Sequence, residues 1–299
     1  MEKIAAVIIW YNPKDLGFDK ILFNISTYSD FFDKLYIVDN SQNDNSDICN
    51  FLSNSVYLQN KNKGGIGGAQ NKGCQQAKND GFNWVMTLDQ DSNFDSKMIK
   101  NYIQLFNKYK TNNDIVSFGT EVKNLNEYID YIKLFKIRVL SPIKHFFIPY
   151  KEVVRPEIEY KTFTIASGNI INLSMWDELH GFDEYLFIED VDSDFCHRII
   201  NNNKKIAIFP SIVLNQCFGE KKKFTIIPKL MPIYSDFRYF YVFRNKMIQK
   251  RKYPEYKKSF KRNLIRFFVD YCINTIHPIK HFKIFIHAYY AYKKYVNNN

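Results

Sequence analysis

The feature of this sequence that most constrains its fold is an alternation of short apolar runs with helix-like segments over the first 90 residues. The apolar runs have the length of buried strands, and they lie at 3–10 (KIAAVIIW), 34–38 (KLYIV), 55–59 (SVYLQ) and 83–88. Helix-like segments at 20–32 and 69–80 separate the first run from the second and the third from the fourth. Continuous apolar strands that alternate with helices are typical of a mostly parallel sheet covered by helices. We therefore predict an α/β fold.

The second half of the chain is less regular. Its residue pattern predicts strands at 113–118 and 161–173 and a short helix at 174–180. A variable connection lies between the two strands and carries a predicted helix near 124–137. The second of these strands contains a Ser-Gly step, and the sequence from residue 236 onward is helical and basic. We predict two domains, a ligand-binding and catalytic domain at 1–235 and a basic amphipathic helical extension at 236–299.

The net charge of +11 is unevenly distributed along the chain. Residues 221–299 contain 19 Lys and Arg against 3 Asp and Glu, whereas residues 1–220 carry a net charge of −5. An apolar stripe at helical spacing lies in the basic region, formed by Phe260, Leu264, Phe267, Phe268, Tyr271 and Cys272. A basic amphipathic helix fits an anionic membrane surface. The alternatives are a helix that packs between two copies in a homodimer, to which we give equal weight, and a helix that covers the protein's own core. No nucleic-acid recognition motif accompanies the charge, so no nucleic-acid partner is predicted.

Cysteine usage and hydropathy bear on the location of the protein. The five cysteines, at positions 49, 74, 196, 217 and 272, are widely spaced and form no C-x-x-C pair, which favours free thiols in a reducing compartment. The apolar run at 4–10 is short and is followed by Tyr-Asn-Pro, so we expect a first strand and not a signal peptide. No stretch reaches the ~18 consecutive apolar residues that a spanning helix needs. We predict a cytoplasmic protein.

Polar residues follow each of the four predicted strands. Tyr11 and Asp39 follow the first two, a glycine-rich turn follows the third, and Asp89 and Asp91 lie at the end of the fourth. Ligands of parallel α/β sheets bind beyond the carboxyl ends of the strands, so we expect these side chains along one edge. In an extended chain Asp89 and Asp91 would point to the same side and could bind one divalent cation; an Asp-rich turn is the alternative.

Two further segments are candidates for chemistry. The run 63–71 (KGGIGGAQN) has the glycines of a phosphate-binding turn before a helix, but it fits neither G-x-x-x-x-G-K-[ST] nor G-x-G-x-x-G, and a flexible turn is the alternative. The run 187–198 (FIEDVDSDFCHR) is the densest acidic cluster of the chain. Crowded carboxylates repel each other, which raises their pKa and suits a general base. An acidic first turn favoured by the helix dipole is the alternative.

The order of these motifs supports a more specific interpretation. The chain contains in succession I-x-W-Y-N-P, I-V-D-N-S, N-K-G-G-I-G-G-A-Q-N-K-G, L-D-Q-D-S, S-G-N, G-F-D-E-x-L-F-I-E-D-V-D-x-D-F-C-x-R and R-Y-F-Y-V-F-R-N. In this order and spacing the sequence resembles the family 2 glycosyltransferases of GT-A (Rossmann-like) fold, and especially their rhamnosyltransferase branch, over roughly residues 3–250.

The resemblance implies a nucleotide-sugar donor. Tyr11 and Asp39 match positions that hold the nucleobase, the ring by stacking and the carboxylate by hydrogen bonding. Gly65 and Asn71 match the donor-contacting turn and helix start. Asp89 and Asp91 match the D-x-D that meets the ribose and the metal-bound diphosphate, so the implied cofactor is Mg²⁺ or Mn²⁺. Arg244, with Asn245, matches a late motif near the diphosphate or the acceptor.

The resemblance also implies an inverting displacement assisted by one carboxylate. Counting back from Arg198, Asp192 aligns with the catalytic base; Glu189 and Asp190, one turn earlier, are the alternatives. Many relatives carry a further metal ligand, a His in H-x-x-G, about eighteen residues after this Arg, and here Gln216 stands in its place. Glutamine is a weaker ligand, which leaves the identity of the metal and the need for it open.

These observations together predict an inverting glycosyltransferase that transfers rhamnose from dTDP-rhamnose. The expected acceptor is a polysaccharide or a lipid-diphosphate-linked oligosaccharide of cell-surface glycan synthesis, such as O-antigen or capsule. A lipid-linked acceptor would make the protein peripheral on the inner face of the plasma membrane. The alternatives are another donor, such as a UDP-hexose or UDP-galactofuranose, and a non-catalytic nucleotide-sugar-binding or scaffold protein.

Overall fold

The computed structural model describes residues 3–124, 155–216, 234–273 and 278–298. These residues form two compact units. The first contains residues 3–123 and 157–216, and the second contains the helices that begin at residue 236. The predicted domain boundary at residue 235 stays a prediction. The helix predicted near 124–137 lies outside the described residues, except for residue 124.

The first unit is built on one sheet of eight strands. In chain order they are β1 Ala5–Trp10, β2 Lys34–Asp39, β3 Ser55–Gln59, β4 Trp84–Asp89, β5 Ile115–Asn124, β6 Glu159–Lys161, β7 Asn169–Asn172 and β8 Lys205–Gln216. Across the sheet they follow the order β3-β2-β1-β4-β7-β5-β8-β6. β1 pairs in parallel with β2 and β4, and β2 pairs in parallel with β3. The four strands predicted in the first 90 residues are therefore neighbours that run in one direction, which confirms the predicted mostly parallel sheet.

Helices cover both faces of this sheet. The described helices of the first unit are α1 Pro13–Leu16, α2 Phe18–Ser26, α3 Gly65–Asn79, α4 Ser96–Tyr109, α5 Leu173–Glu178 and α6 Val191–Asn201. On one face, side chains of α2 and α4 share a buried core with Ile8 of β1. On the other face, Gly73 of α3 lies against Val7, which points away from Ile8 because strand side chains alternate. Burial on both faces explains the apolar strands, since each fully buried Ile or Val contributes about 1.5–3 kcal/mol.

Four elements differ from the sequence prediction. α3 begins at Gly65 and not at 69, so most of the glycine-rich run lies in its first turn, and β5 continues to Asn124 instead of ending at 118. The helix expected at 20–32 ends at Ser26, and a 3-10 turn follows at Ser29–Phe31. The single strand expected at 161–173 is wrong, because the segment belongs to β6, a loop and β7. β6 pairs antiparallel with β8, whereas β7 pairs antiparallel with β4 and β5. The loop is held by backbone hydrogen bonds from Gly168 to Thr87 and from Asn169 to Ala166, so the Ser-Gly step marks a turn between strands of two different pairings.

The second unit consists, in its described residues, of helices α7 Asp236–Lys252, α8 Lys257–Ile273 and α9 Pro278–Asn298. They enclose an aromatic core that includes Tyr239 and Phe243 of α7, Tyr271 of α8 and Ala288 of α9. The apolar stripe of α8 packs into the interior of this unit, where its members Leu264, Phe267 and Phe268 contact that core. Within the described parts of the chain, no helix combines the length and the hydropathy needed to cross a membrane.

Candidate functional site

The parallel strands bring the predicted polar residues to one edge of the sheet. Trp10, at the end of β1, lies opposite Asp39 at the end of β2, and Asp39 in turn lies opposite Gln59 of β3. Ile9 of β1 lies opposite Asp89, the last residue of β4. The carboxyl ends of four strands thus form a continuous edge, from which the glycine turn and the D-x-D segment continue.

The D-x-D segment forms a turn and is not extended. β4 ends at Asp89, and the backbone amide of Ser92 donates to the Asp89 carbonyl at 3.0 Å. The shared orientation inferred from an extended chain therefore does not apply to Asp91. The middle residue, Gln90, bonds in both directions to the backbone of Tyr11, accepting from its amide at 2.9 Å and donating to its carbonyl at 3.1 Å. This pair fastens the D-x-D turn to the end of β1.

Both carboxylates of the D-x-D turn act electrostatically on a tyrosine of the core. Burial raises the pKa of the Tyr28 hydroxyl, and the negative charges of Asp89 and Asp91 raise it further. The hydroxyl is fully buried and has no hydrogen-bond partner among the described residues. Two carboxylates therefore concentrate negative charge at one place on the sheet edge.

The donor atoms of this turn fit a hard divalent cation. Asp89 and Asp91 are partly exposed, and Mg²⁺ and Mn²⁺ prefer carboxylate oxygens. The described part of the chain contains no group of three or more His, Cys, Asp or Glu side chains arranged to bind a metal. Gln216 is the last residue of β8, and its neighbour Asn215 pairs with Asn93, two residues beyond Asp91. The end of β8 thus reaches the D-x-D turn.

A buried pair of serines connects the D-x-D turn to the S-G-N loop. The Ser92 hydroxyl accepts from the Asp89 backbone amide at 3.0 Å and shares a hydrogen bond with the Ser167 hydroxyl. Both serines are almost fully buried. The preceding residue of the loop, Ala166, donates its backbone amide to an oxygen of Asp192 at 3.1 Å. One short loop therefore contacts both the D-x-D turn and the predicted base.

Neither serine was among the predicted site residues. The signal was present, since Ser92 directly follows the D-x-D and Ser167 opens the S-G-N motif. Their hydrogen bond joins residues 75 positions apart in the chain, and no local pattern predicts such a contact.

Asp192 lies in the first turn of α6 and is partly exposed. Burial of the carboxyl raises its pKa to about 6, the hydrogen bond from Ala166 opposes the shift, and the charges of Glu189 and Asp190 add to it. Such a carboxylate is ionised at neutral pH and is still basic enough to accept a proton. Asp194, by contrast, is fully buried and forms an ion pair with Arg198 at 2.8 Å.

The Asp39 carboxylate lies inside the protein. One oxygen accepts hydrogen bonds from the amide and the hydroxyl of Ser41, and the other accepts from Asn45 and the Tyr57 hydroxyl, both at 2.7 Å. The side chain is fully buried. These four bonds shape the loop after β2, and a nucleobase contact by Asp39 stays a prediction.

The glycine turn packs against the segment that precedes α6. Gly65 has a φ of +62°, and a Cβ atom there would lie 2.1 Å from the carbonyl oxygen of Phe187. Only glycine allows this approach. Further along α3, the Asn71 amide bonds to Trp176, Phe182 and Glu184. Donor contacts by Gly65 and Asn71 stay predictions.

The remaining predicted donor residues lie in different surroundings. The Tyr11 side chain is 56% exposed at the end of β1. Arg244 lies in α7 of the second unit, where it is buried, donates to Asn245 at 2.9 Å and lies over the Tyr241 ring at 4.6 Å. Its contact with a donor or acceptor stays a prediction.

Comparisons with known proteins bear on this site. The family model of glycosyl transferase family 2 matches residues 21–172, just over half of the 299 residues. The chain is 25% identical over 252 residues to the dTDP-rhamnosyl transferase RfbF of Shigella flexneri, which covers 83% of this chain and 80% of that protein.

Solved structures support the same fold. Residues 1–349 of S. aureus TarS in complex with UDP-GlcNAc superpose with a TM-score of 0.53 at 13% identity, covering 97% of this chain and 73% of that one. GalNAc-T7 with UDP, GalNAc and Mn²⁺ gives a TM-score of 0.53 at 11% identity, covering 73% of this chain and 44% of that one. A longer TarS structure gives a TM-score of 0.51, and this chain spans only 39% of its length.

The family match covers β2 to β7 and includes the glycine turn, the D-x-D turn and the S-G-N loop that build the sheet edge. The predicted resemblance is confirmed. The chain belongs to glycosyl transferase family 2 and has the GT-A fold.

Proposed function

We propose that this protein is an inverting glycosyltransferase that transfers rhamnose from dTDP-rhamnose to a polysaccharide or lipid-linked oligosaccharide acceptor in cell-surface glycan synthesis. The observation that carries the proposal is the S-G-N loop, which contacts the D-x-D turn through Ser167 and the Asp192 carboxylate through Ala166. The proposed diphosphate-binding turn and the proposed base thus contact one and the same loop. The choice of donor rests on the relative that is named a dTDP-rhamnosyl transferase.

The proposed reaction is a single displacement. Asp192 accepts the proton of the acceptor hydroxyl as its oxygen attacks the anomeric carbon, the bond from that carbon to the diphosphate breaks, and dTDP leaves with the electron pair. A pKa of about 6 leaves Asp192 ionised at neutral pH and so ready to accept the proton. Asp89 and Asp91 would hold Mg²⁺ or Mn²⁺, which when bound neutralises charge on the diphosphate. Ser92, bonded to the Asp89 amide, keeps the turn in place.

The donor's nucleobase end is proposed to lie near the ends of β1 and β2. Tyr11 offers an exposed ring for stacking on the base. The resemblance also assigns Gly65, Asp39 and Arg244 to the donor. It assigns Asn71 too, but that amide already bonds to Trp176, Phe182 and Glu184.

The proposed location is cytoplasmic and peripheral on the inner face of the plasma membrane. The apolar stripe of α8 packs inside the second unit, so membrane contact would fall on the outward faces of α8 and α9. These faces combine basic and apolar exposed residues, namely Lys258, Lys261, Arg262, Ile265, Lys283, Tyr290 and Lys294. Each basic residue near an anionic surface contributes about 1 kcal/mol.

Vesicle flotation of the full chain tests this location. Wild-type protein should float with vesicles that contain anionic lipid, and a variant with Lys258→Glu, Arg262→Glu, Lys283→Glu and Lys294→Glu should not. Equal flotation of both proteins would refute membrane contact through these two faces. A change in oligomeric state in the variant would instead favour the homodimer.

Turnover by the purified full chain tests the function. We expect dTDP release and glycosyl transfer with dTDP-rhamnose and Mn²⁺ or Mg²⁺, and much less with UDP-glucose or UDP-galactofuranose. Turnover with a UDP-sugar and none with dTDP-rhamnose would show that the donor is that UDP-sugar. Binding of nucleotide sugars without turnover, with a suitable acceptor present, would favour the non-catalytic alternative.

A further inference from the structure

We propose that Asn71 is a positioning residue that fixes the segment in front of Asp192, and that it acts through the protein without touching the donor. The inference rests on the proposed function in one respect, because the kinetic effect is expected through Asp192. Its structural part can be tested on its own.

The hydrogen-bonding capacity of the Asn71 side chain is fully used within the protein. Its nitrogen donates to the Phe182 carbonyl at 2.9 Å and to a Glu184 carboxylate oxygen at 3.0 Å. Its oxygen accepts from the Phe182 amide at 2.7 Å and from the Trp176 indole at 3.2 Å. An asparagine amide has two donor hydrogens and two acceptor lone pairs. A nucleotide sugar could bond to Asn71 only by displacing one of these partners.

The protein also packs closely around the Asn71 side chain. Gly181 has a φ of +72°, and a Cβ atom there would lie 2.5 Å from the Asn71 side-chain oxygen. The chain at 181–184 therefore wraps around this one amide. Side-chain contacts between residues 111 positions apart join α3 to the loop that leads to α6.

A second attachment lies one turn earlier in α3. The Ile66 amide donates to the Phe187 carbonyl at 2.7 Å, and the missing side chain of Gly65 makes room for that same carbonyl. The start of α3 thus holds residue 187, and Asn71 holds residues 182 and 184. The stretch 181–187 is fixed at both of its ends by a single helix.

The segment that follows needs such support. Phe187, Glu189 and Asp190 have φ values of 66°, 62° and 61°, in the left-handed region that residues with a Cβ seldom adopt. Asp190 is the N-cap of α6, and Asp192 lies in the first turn of that helix. Strained backbone at such a place persists only where its surroundings hold it. Loosening the support at 182–184 should therefore move the Asp192 carboxylate and leave the D-x-D turn and Tyr11 in place.

Variants of Asn71 separate positioning from donor binding. Asn71→Ala removes all four bonds, and Asn71→Asp keeps the shape but loses both donor bonds and places a negative charge beside Glu184. The control is Gln75→Ala, one turn later on α3, where the exposed amide donates to Asn79. With dTDP-rhamnose we expect kcat to fall by about 10²-fold in both Asn71 variants, since small misplacements of reacting groups have effects of that size. The dTDP Kd should stay within about threefold of wild type, and Gln75→Ala should match wild type in both. A large rise in Kd with unchanged kcat would overturn the inference and make Asn71 a donor-binding residue.

A second readout does not depend on turnover. The Trp176 indole N–H, assigned in the ¹H–¹⁵N spectrum with Trp176→Phe, should shift in Asn71→Ala while those of Trp10 and Trp84 remain. Amide hydrogen exchange should increase at residues 182–192 and not in β1 or β4. If neither changes, the positioning role is refuted whatever the activity. If both change in a wild-type background that shows no turnover with any nucleotide sugar, the proposed function fails and the positioning role stands.

Discussion

The loop after β2 and the turn after β4 lie at the same edge of the sheet, and each begins with an aspartate that the sequence resemblance assigns to the donor. Their carboxylates are in opposite situations. Asp39 is fully buried and its two oxygens accept four hydrogen bonds from its own loop. Asp89 and Asp91 are partly exposed, and their negative charges raise the pKa of the Tyr28 hydroxyl. A motif position thus identifies a carboxylate but does not distinguish one that shapes a loop from one that can meet a ligand.

The same contrast recurs within a single turn of α6. Asp194 is fully buried and paired with Arg198, whose guanidinium also donates to the carbonyl oxygens of Leu179 and Gly181. The residue Asp192 is partly exposed, but its carboxyl is surrounded by protein, and this burial raises the pKa of the carboxyl to about 6. We therefore expect substitutions at these aspartates to separate into losses of activity and losses of stability.

The largest effect is expected from Asp192→Asn. General base catalysis contributes about 10²–10⁴-fold, so kcat should fall by that factor, with little change in the free energy of unfolding because burial disfavours the charged carboxylate. The matched change Asp194→Asn should instead lower the free energy of unfolding by about 2–3 kcal/mol. This loss of stability is smaller than that expected on breaking a fully buried ion pair, since Arg198 keeps some contact with solvent.

Steady-state kinetics and urea denaturation of the two variants measure this separation. Turnover in Asp192→Asn equal to wild type would contradict the assignment of the base. Loss of turnover in Asp190→Asn alone would then transfer the role to that residue.

A smaller loss of activity is expected from Asp91→Asn. Removing one carboxylate of the D-x-D turn should lower kcat/KM by about 10²-fold and raise the Mn²⁺ concentration needed for half-maximal activity, because a charged metal ligand is lost. Activity measured over a Mn²⁺ titration provides the test, with Asp95→Asn, the helix N-cap four residues later, as the control. An unchanged Mn²⁺ requirement in Asp91→Asn would refute the assignment of Asp91 as a metal ligand.

Asp39→Ala should affect stability first. It removes the buried acceptor of four hydrogen bonds, so we expect the free energy of unfolding to fall by about 2–4 kcal/mol. Asp47→Ala is the control, since this residue is exposed and forms a surface ion pair with Lys14. Urea denaturation checks the difference. If Asp39→Ala kept wild-type stability and lost only nucleotide affinity, Asp39 would be a donor-binding residue, and the contrast drawn between the two loops would be wrong.

The sequence predicts what is local and periodic, and the structure adds what is distant. The first four strands follow from apolar runs, and their parallel order places Tyr11, Asp39 and Asp89 on one edge. The saturation of Asn71 depends on partners more than 100 residues away, which no spacing rule contains. Periodicity likewise identifies the apolar face of α8 but not what covers it, and that face packs inside the helical unit.

The smallest expected effect is a pH dependence that sharpens the contrast within α6. A base must be deprotonated to act, and burial raises the pKa of Asp192 to about 6 instead of the usual value near 4. The value of kcat/KM should therefore be constant above this pH and fall about tenfold per unit below it, to about one tenth of its plateau at pH 5. The charge of Glu189 contributes to the raised pKa, so Glu189→Gln should move the acidic limb to lower pH and keep the plateau. Ser193→Ala, a neutral change on the same helix, should leave the limb in place. An acidic limb near pH 4 in the wild type, or loss of all activity in Glu189→Gln, would show that a different carboxylate accepts the proton.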